Sequence, residues 1–241
     1  MKPKPHIDVP STLRDRPFFG LELDEEQKNF RDAVWDPETI ITFCNAKAGT
    51  GKTTIAVGVA YLLYYYGIVD GITYVVSPTQ EQIQGFIPGS IEEKSEPYMG
   101  ALEDALETVG LNPMMVIASS DNVRGMKDGT AFVSPITHTF LRGRDVKRRA
   151  IIIDEAQNYY VSDLKKTLTR PHDDCKIIVI GHTGQIDLYK HPENSGFAVM
   201  LEHFREQQDP RAKVCELHRN YRGWVSNTAD EVLSEIEKKI R

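Results

Sequence analysis

The sequence predicts an α/β fold in three layers, a mostly parallel central sheet with helices on both faces. Short β-branched apolar runs recur along the 241 residues, each followed by a stretch of helical period. One of them, Ala150-Ile151-Ile152-Ile153, is uninterrupted, as expected of a strand buried on both faces. A glycine-bearing turn, Ala48-Gly49-Thr50-Gly51, stands where another strand gives way to a helix. In folds of this kind ligands sit outside the carboxyl ends of the strands.

The elements follow in order. Residues 1–20 carry Pro3, Pro5, Pro10 and Pro17 with alternating charges and no apolar period, which predicts an extended arm preceding a single domain over 21–241. Asp24 caps a helix with Leu23, Phe30 and Val34 apolar, closed by Trp35-Asp36-Pro37. Residues 40–43 form a buried strand, and residues 54–66 a helix rich in alanine and leucine. Residues 72–77 are β-branched and end at Pro78, with Thr79 capping a short turn. Between 82 and 110 the second half is helical, because Tyr98, Leu102, Ala105, Leu106 and Val109 recur at three and four residues, with Gly100 a minor interruption. Residues 115–118 and 130–133 read as short strands around a polar loop. After the strand at 150–153 come a helix at 161–168, a strand at 176–180, a helix at 196–204 and a last strand at 213–217. Val225, Ala229, Val232, Leu233, Ile236 and Ile240 make the apolar stripe of a closing helix, packed on the core or on a neighbour.

Composition narrows the function classes. Lys and Arg number 29 against 35 Asp and Glu, a net charge of −6, so any nucleic-acid contact has to come from a local basic patch. Cys44, Cys175 and Cys215 stand apart, with no C-x-x-C pair, and Cys44 is expected to pack in the strand before the turn. No apolar run is long enough for a membrane span, and Met1 opens no secretory leader. A soluble, reduced, cytoplasmic protein is the expectation.

The chemistry gathers at strand ends. Residues 46–53, Ala-Lys-Ala-Gly-Thr-Gly-Lys-Thr, match G-x-x-x-x-G-K-[ST] except that Ala46 replaces the first glycine. Such a loop aims backbone N–H groups and a helix N-terminus at a triphosphate, so Ala48, Gly49, Thr50, Gly51, Lys52, Thr53 and Thr54 are the candidate nucleotide contacts. The Lys52 ammonium meets the outer oxygens and the Thr53 hydroxyl reaches Mg2+. Asp154, after the central strand, is the candidate for the magnesium shell, and Glu155 for polarising the attacking water. The bland alternative is a pair of solvated acids capping the next helix. Lys52 and Asp154 are expected on neighbouring strand ends. A further apolar strand leads through Gly181-His182-Thr183-Gly184 to Gln185, whose amide can donate to a phosphoryl oxygen and accept from water, or else is an exposed turn residue.

Five blocks together carry a resemblance: Asn45 to Thr53; Gly85-Phe86-Ile87-Pro88-Gly89-Ser90-Ile91-Glu92-Glu93-Lys94; Phe140-Leu141-Arg142-Gly143-Arg144; Ile153-Asp154-Glu155-Ala156-Gln157-Asn158; and Thr183-Gly184-Gln185-Ile186-Asp187. The chain resembles the PhoH-like family over roughly residues 22–204. The resemblance implies a P-loop NTPase of RecA-like fold, related to the first motor domain of superfamily-one helicases. It further implies ATP and Mg2+ as ligands, assembly into a homo-oligomeric ring, of which a hexamer is one form, and activity linked to RNA. Where the family has Asp before the last block, this chain has His182.

Two more segments are similar to helicase elements. Leu23 to Gln27 resembles the adenine-reading glutamine motif, which makes Gln27 either a base contact or a polar residue on an exposed helix face. Glu216-Leu217-His218-Arg219-Asn220-Tyr221-Arg222 resembles L-x-x-N-Y-R, whose arginine reaches the γ-phosphate. Arg222 matches that pattern, Arg219 fits the PhoH-like spacing, and one of the two is expected to be needed. With a single motor domain up to Arg241, the site is expected to turn over slowly or to be completed across a subunit interface, with Arg142 and Arg144 as further candidates for the arginine in trans. Arg142, Arg144, Lys147, Arg148 and Arg149 form the densest basic cluster, a track for single-stranded RNA or DNA, a subunit contact or a solvated loop. The rival functions are a nucleotide-gated scaffold with little turnover and a small-molecule kinase, which would need an acceptor pocket and a lid.

Overall fold

The computed structural model describes residues 8–14, 16–76, 99–137, 141, 145–185 and 195–228. Six strands, β1 (Ile41–Ala46), β2 (Gly71–Val76), β3 (Val133–Thr137), β4 (Arg149–Ile153), β5 (Lys176–Gly181) and β6 (Ala212–Leu217), form one sheet in the order β3-β2-β4-β5-β1-β6. Every pair in it is parallel. Helices among the described residues include α1 (Glu25–Trp35), α2 (Lys52–Tyr65), α3 (Gly100–Thr108), α4 (Pro113–Val116), α5 (Val123–Asp128), α6 (Val161–Leu168) and α7 (Gly196–Gln207). This is the expected three-layer α/β fold, a parallel central sheet with helices on both faces.

Alternation along the strands builds two cores. Cys44, Ile152, Ile178 and Ile180 point to one face, where Phe30 and Val34 of α1, Ile55, Val59 and Leu63 of α2, and Leu102 and Leu106 of α3 cover them. Phe43, Ile151, Ile153 and Val179 point to the other, under Leu164 of α6 and Phe197 and Leu201 of α7. The central strands β1, β4 and β5 are largely buried on both sides because helices cover both. Leu13 and Phe18 join the first core, and the Trp35 indole donates to the Pro10 carbonyl, so residues 8–14 and 16–20 lie along the domain.

Three expectations change. Residues 115–118 are not a strand. The Asn112 side chain accepts from Met114 N, Pro113 takes the first helical turn, and α4 results, leaving only an isolated bridge from Ile117 to Val133. The strand expected at 130–133 begins at Val133 and runs to Thr137. It is an edge strand whose only ladder among the described residues is with β2, apart from the Ile117 bridge at Val133, and such an edge is where Pro135 is tolerated. The loop between them holds α5, capped by Asn122. Of the closing stripe, residues 224–228 are helical with Val225 exposed, and the remainder lies outside the described residues. So do Pro78, Thr79 and the 85–94 block.

Candidate nucleotide site

The turn after β1 works because two of its residues leave the usual backbone region. Gly49 and Gly51 have φ of 77° and 79°, conformations that cost an L side chain about 1–2 kcal/mol. A Cβ on Gly49 would also come within 2.3 Å of Asn220 Oδ1. Ala46 needs no such freedom, since it is the buried last residue of β1. The buried Thr50 hydroxyl donates to the Lys47 carbonyl at 3.0 Å and closes the loop on itself, and Gly51 caps α2, whose helical ladder opens with Ile55 N on Gly51 O. The amides of Lys52, Thr53 and Thr54 are therefore first-turn donors without helical partners, and the positive end of a 14-residue helix faces the loop.

Asp154 and Thr53 meet although they are 101 residues apart: Asp154 Oδ2 accepts from the Thr53 hydroxyl at 3.0 Å. Their strands are not neighbours, which corrects the expectation. β5 lies between β1 and β4, and the loop and the start of α2 cross its end to reach Asp154. The same carboxylate oxygen accepts from Tyr74 OH at 2.7 Å, and Oδ1 accepts from Glu155 N at 2.7 Å. Asp154 is 4% exposed, so it is not a solvated acid. Burial raises its pKa, while the Lys52 ammonium opposes the rise. Burial also pushes the Tyr74 phenol well above its ordinary value, so it stays a donor. Thr53 and Asp154 place two hard oxygen ligands side by side, and Mg2+ completes such a shell with water and phosphate oxygens.

Glu155 is held in the left-handed region, φ 50° and ψ 41°, strain of about 1–2 kcal/mol located at the candidate base. Its Oε1 lies 3.6 Å from Lys52 Nζ, and its Oε2 accepts from Gln157 Nε2 at 2.6 Å. Gln157 is buried and accepts at Oε1 from His182 N at 3.1 Å, so one amide joins Glu155 to the loop that leads to Gln185. That loop is tied to β1 as well, since Asn45 Oδ1 accepts from Thr183 N at 3.1 Å. Gln185 itself is partly exposed, and its N–H donates to the His182 carbonyl.

The segment after β6 closes the outer side. Tyr221 N donates to Gly49 O at 2.8 Å, and the stem of Arg222 packs against Gly49, whereas the Arg219 guanidinium lies 4.9 Å over the Tyr221 ring. His218 N and Nδ1 both meet the Glu26 carboxylate, and Tyr221 OH donates to Asp24 Oδ2 at 2.6 Å. Gln27 is not on an exposed face: it is 7% exposed and its Nε2 donates to Thr50 O at 2.9 Å.

Of the basic cluster, the described residues Lys147, Arg148 and Arg149 do not form a continuous surface track. The Arg149 guanidinium turns into the sheet onto Thr73 Oγ1, Ile72 O and Ser134 Oγ, and burial lowers its pKa. Arg148 is paired with Asp70 and donates to Gly67 O. Both sit at the amino end of β4, opposite the phosphate loop. Lys147 is exposed, and Arg142 and Arg144 lie outside the described residues. Tyr74, Gln157 and Asn45 are the contributors that the sequence reading left without a role.

A family model described as "PhoH-like protein" matches residues 22–229. The chain belongs to the PhoH-like family. It is 35% identical over 164 residues to a "PhoH-like protein" of Bacillus subtilis (strain 168), covering 67% of this chain and 48% of that one. It is 31% identical over 193 residues to "Protein PhoH" of Escherichia coli (strain K12), covering 78% and 51%. The chain thus spans about half the length of these PhoH-like relatives. Among solved structures it is similar to the HK97 bacteriophage large terminase, with a TM-score of 0.47 and 16% identity over 82% of this chain and 39% of that one. Among the described residues no helix is long and apolar enough to cross a membrane.

Proposed function

We propose that this PhoH-like chain binds ATP with Mg2+ and hydrolyses the β–γ bond by in-line attack of water. The observation that carries the reading is the convergence of Thr53, Asp154, Lys52 and Glu155, drawn from two segments about a hundred residues apart, at the carboxyl edge of the sheet. Lys52 and the amides of the loop and of the α2 N-terminus bind and orient the phosphates. Thr53 and Asp154 would hold Mg2+, which when bound neutralises charge on the phosphate oxygens. Glu155, 40% exposed on its side chain and braced by Gln157, takes the proton of the attacking water. Gln185 reports the γ-phosphate to β5 through the His182 and Gln157 bonds. Arg222 is the arginine whose stem lies on the loop, and we assign it, ahead of Arg219, to the γ-phosphate in cis. Coupling to single-stranded RNA or DNA and assembly into a homo-oligomer belong to the same proposal and rest on the family.

Equilibrium binding and phosphate release with and without single-stranded RNA test it. Lys52→Ala is expected to lose ATP binding. Glu155→Gln should keep binding while turnover drops roughly 100- to 10,000-fold. Unchanged turnover in Glu155→Gln overturns the assigned base, and product formed only with an added acceptor makes the protein a kinase.

A further inference from the structure

We infer that Gln27 is a positioning residue for the phosphate loop rather than a reader of the base, so that the site selects nucleoside triphosphates by their phosphates without this amide discriminating among bases. The inference rests on the nucleotide reading above. Bidentate recognition of an adenine edge needs the donor and the acceptor of one side-chain amide aimed together at the base. In Gln27 they serve two other groups. Oε1 accepts from Asp24 N at 3.1 Å, returning the bond by which Asp24 Oδ1 accepts from Gln27 N at 2.8 Å, the reciprocal cap that starts α1. Nε2 donates to the Thr50 carbonyl at 2.9 Å, and the side chain is nearly buried.

The loop explains why that donor is needed. A phosphate cradle turns N–H groups toward the anion, which leaves carbonyls facing outward in search of partners. Two consecutive carbonyls find them outside the loop: Thr50 O accepts from Gln27, and Gly49 O accepts from Tyr221 N at 2.8 Å. Tyr221 OH then donates to Asp24 Oδ2 at 2.6 Å, on the residue that caps α1 with Gln27. The α1 cap and the segment after β6 make one closed collar around the loop. Turning Gln27 toward a base would break the reciprocal cap and strip the Thr50 carbonyl of its donor.

Calorimetric titration of ATP, GTP and CTP with Mg2+ into the wild-type protein, Gln27→Ala and Gln27→Glu tests the collar. Glutamate retains an acceptor for Asp24 N but cannot donate to Thr50, so both variants are expected to lose about tenfold in affinity. The loss should be the same factor for all three nucleotides, with any wild-type preference among them retained. Tyr221→Phe, at an exposed position, should weaken all three together by a smaller factor, and it carries the test should the Gln27 variants fail to fold. A loss confined to ATP, or no loss in folded protein, overturns the inference. A wild-type protein that binds none of the three overturns the nucleotide reading itself.

Discussion

Two largely buried lysines stand at opposite ends of the sheet and are used in opposite ways. Lys176 opens β5 at the amino end, and its ammonium donates to the carbonyls of Asp36 at 2.6 Å, Thr39 at 2.5 Å and Pro37 at 3.4 Å. Three donors meet three acceptors, and the charge is spent on fixing the connection from α1 to β1. Lys52 opens α2 at the carboxyl end, and its ion pair with Glu155, at 3.6 Å, is longer than a hydrogen bond. A second pair of charged groups, Arg149 and Glu155, shows a similar contrast. Arg149 makes three hydrogen bonds to β2 and β3 toward the amino end, whereas Glu155 at the carboxyl end is strained and partly exposed. Burial alone does not mark a functional charge. What sets Lys52 and Glu155 apart is their place at the carboxyl edge, with reach left over for a ligand.

The sharpest way to break that comparison is to remove each ammonium. Lys52→Ala should lose nucleotide binding while the free energy of unfolding moves by no more than about 1 kcal/mol, as at sites where a charge serves a ligand. Lys176→Met preserves the aliphatic volume but leaves buried carbonyls without donors, and should cost about 2–4 kcal/mol in urea denaturation with nucleotide affinity of the folded protein unchanged. Equal stability losses in the two variants would erase the distinction between the ends.

A smaller effect is expected at Tyr74. Its hydroxyl holds the Asp154 oxygen that also accepts from Thr53, so Tyr74→Phe should weaken the Mg2+ dependence of ATP binding roughly three- to tenfold. Binding of ATP in the presence of a chelator should stay as it is in the wild type. A uniform loss with and without Mg2+ would assign Tyr74 to packing alone.

Legibility in the sequence followed the range of the interaction. β1, α2, β4, α6 and β5 were readable because a strand buried on both faces is a continuous apolar run and the loop glycines are local requirements. The 115–118 segment reads as a strand because Met-Val-Ile-Ala is too short to choose between periods, although Asn112-Pro113 carries the helix-start signal that α4 follows. β3, with Ser134 and Pro135, lacks the apolar pattern because it is an edge. Within the site, the loop and the Asp-Glu pair were visible as motifs, but the order of strands between them was not, so Lys52 and Asp154 were expected one strand closer than they are. Tyr74 reads in sequence as an ordinary core aromatic, and its role depends on a carboxylate 80 residues away. Arg148 and Arg149 read as a surface track because the sequence gives charge without direction.

The smallest effect tests the amino-end lysine by titration. Burial lowers the Lys176 pKa from 10.5 to about 8, with Asp36 opposing. Below pH 8 both folded and unfolded chains hold the proton, and the unfavourable effect of burying the charge is present in full. Between about pH 8 and 10.5 the unfolded chain binds more protons than the folded one, so the contribution of this group to stability rises with pH. Buried Tyr74 and Cys44, whose pKa values are raised, act in the opposite sense as their unfolded forms ionise. Stability at pH 7.5 and 9.5 is therefore informative as a difference: the wild-type protein should gain relative to Lys176→Met as pH rises. Parallel curves would mean that the three carbonyls keep the ammonium charged throughout, making Lys176 a permanent cation locked into the fold.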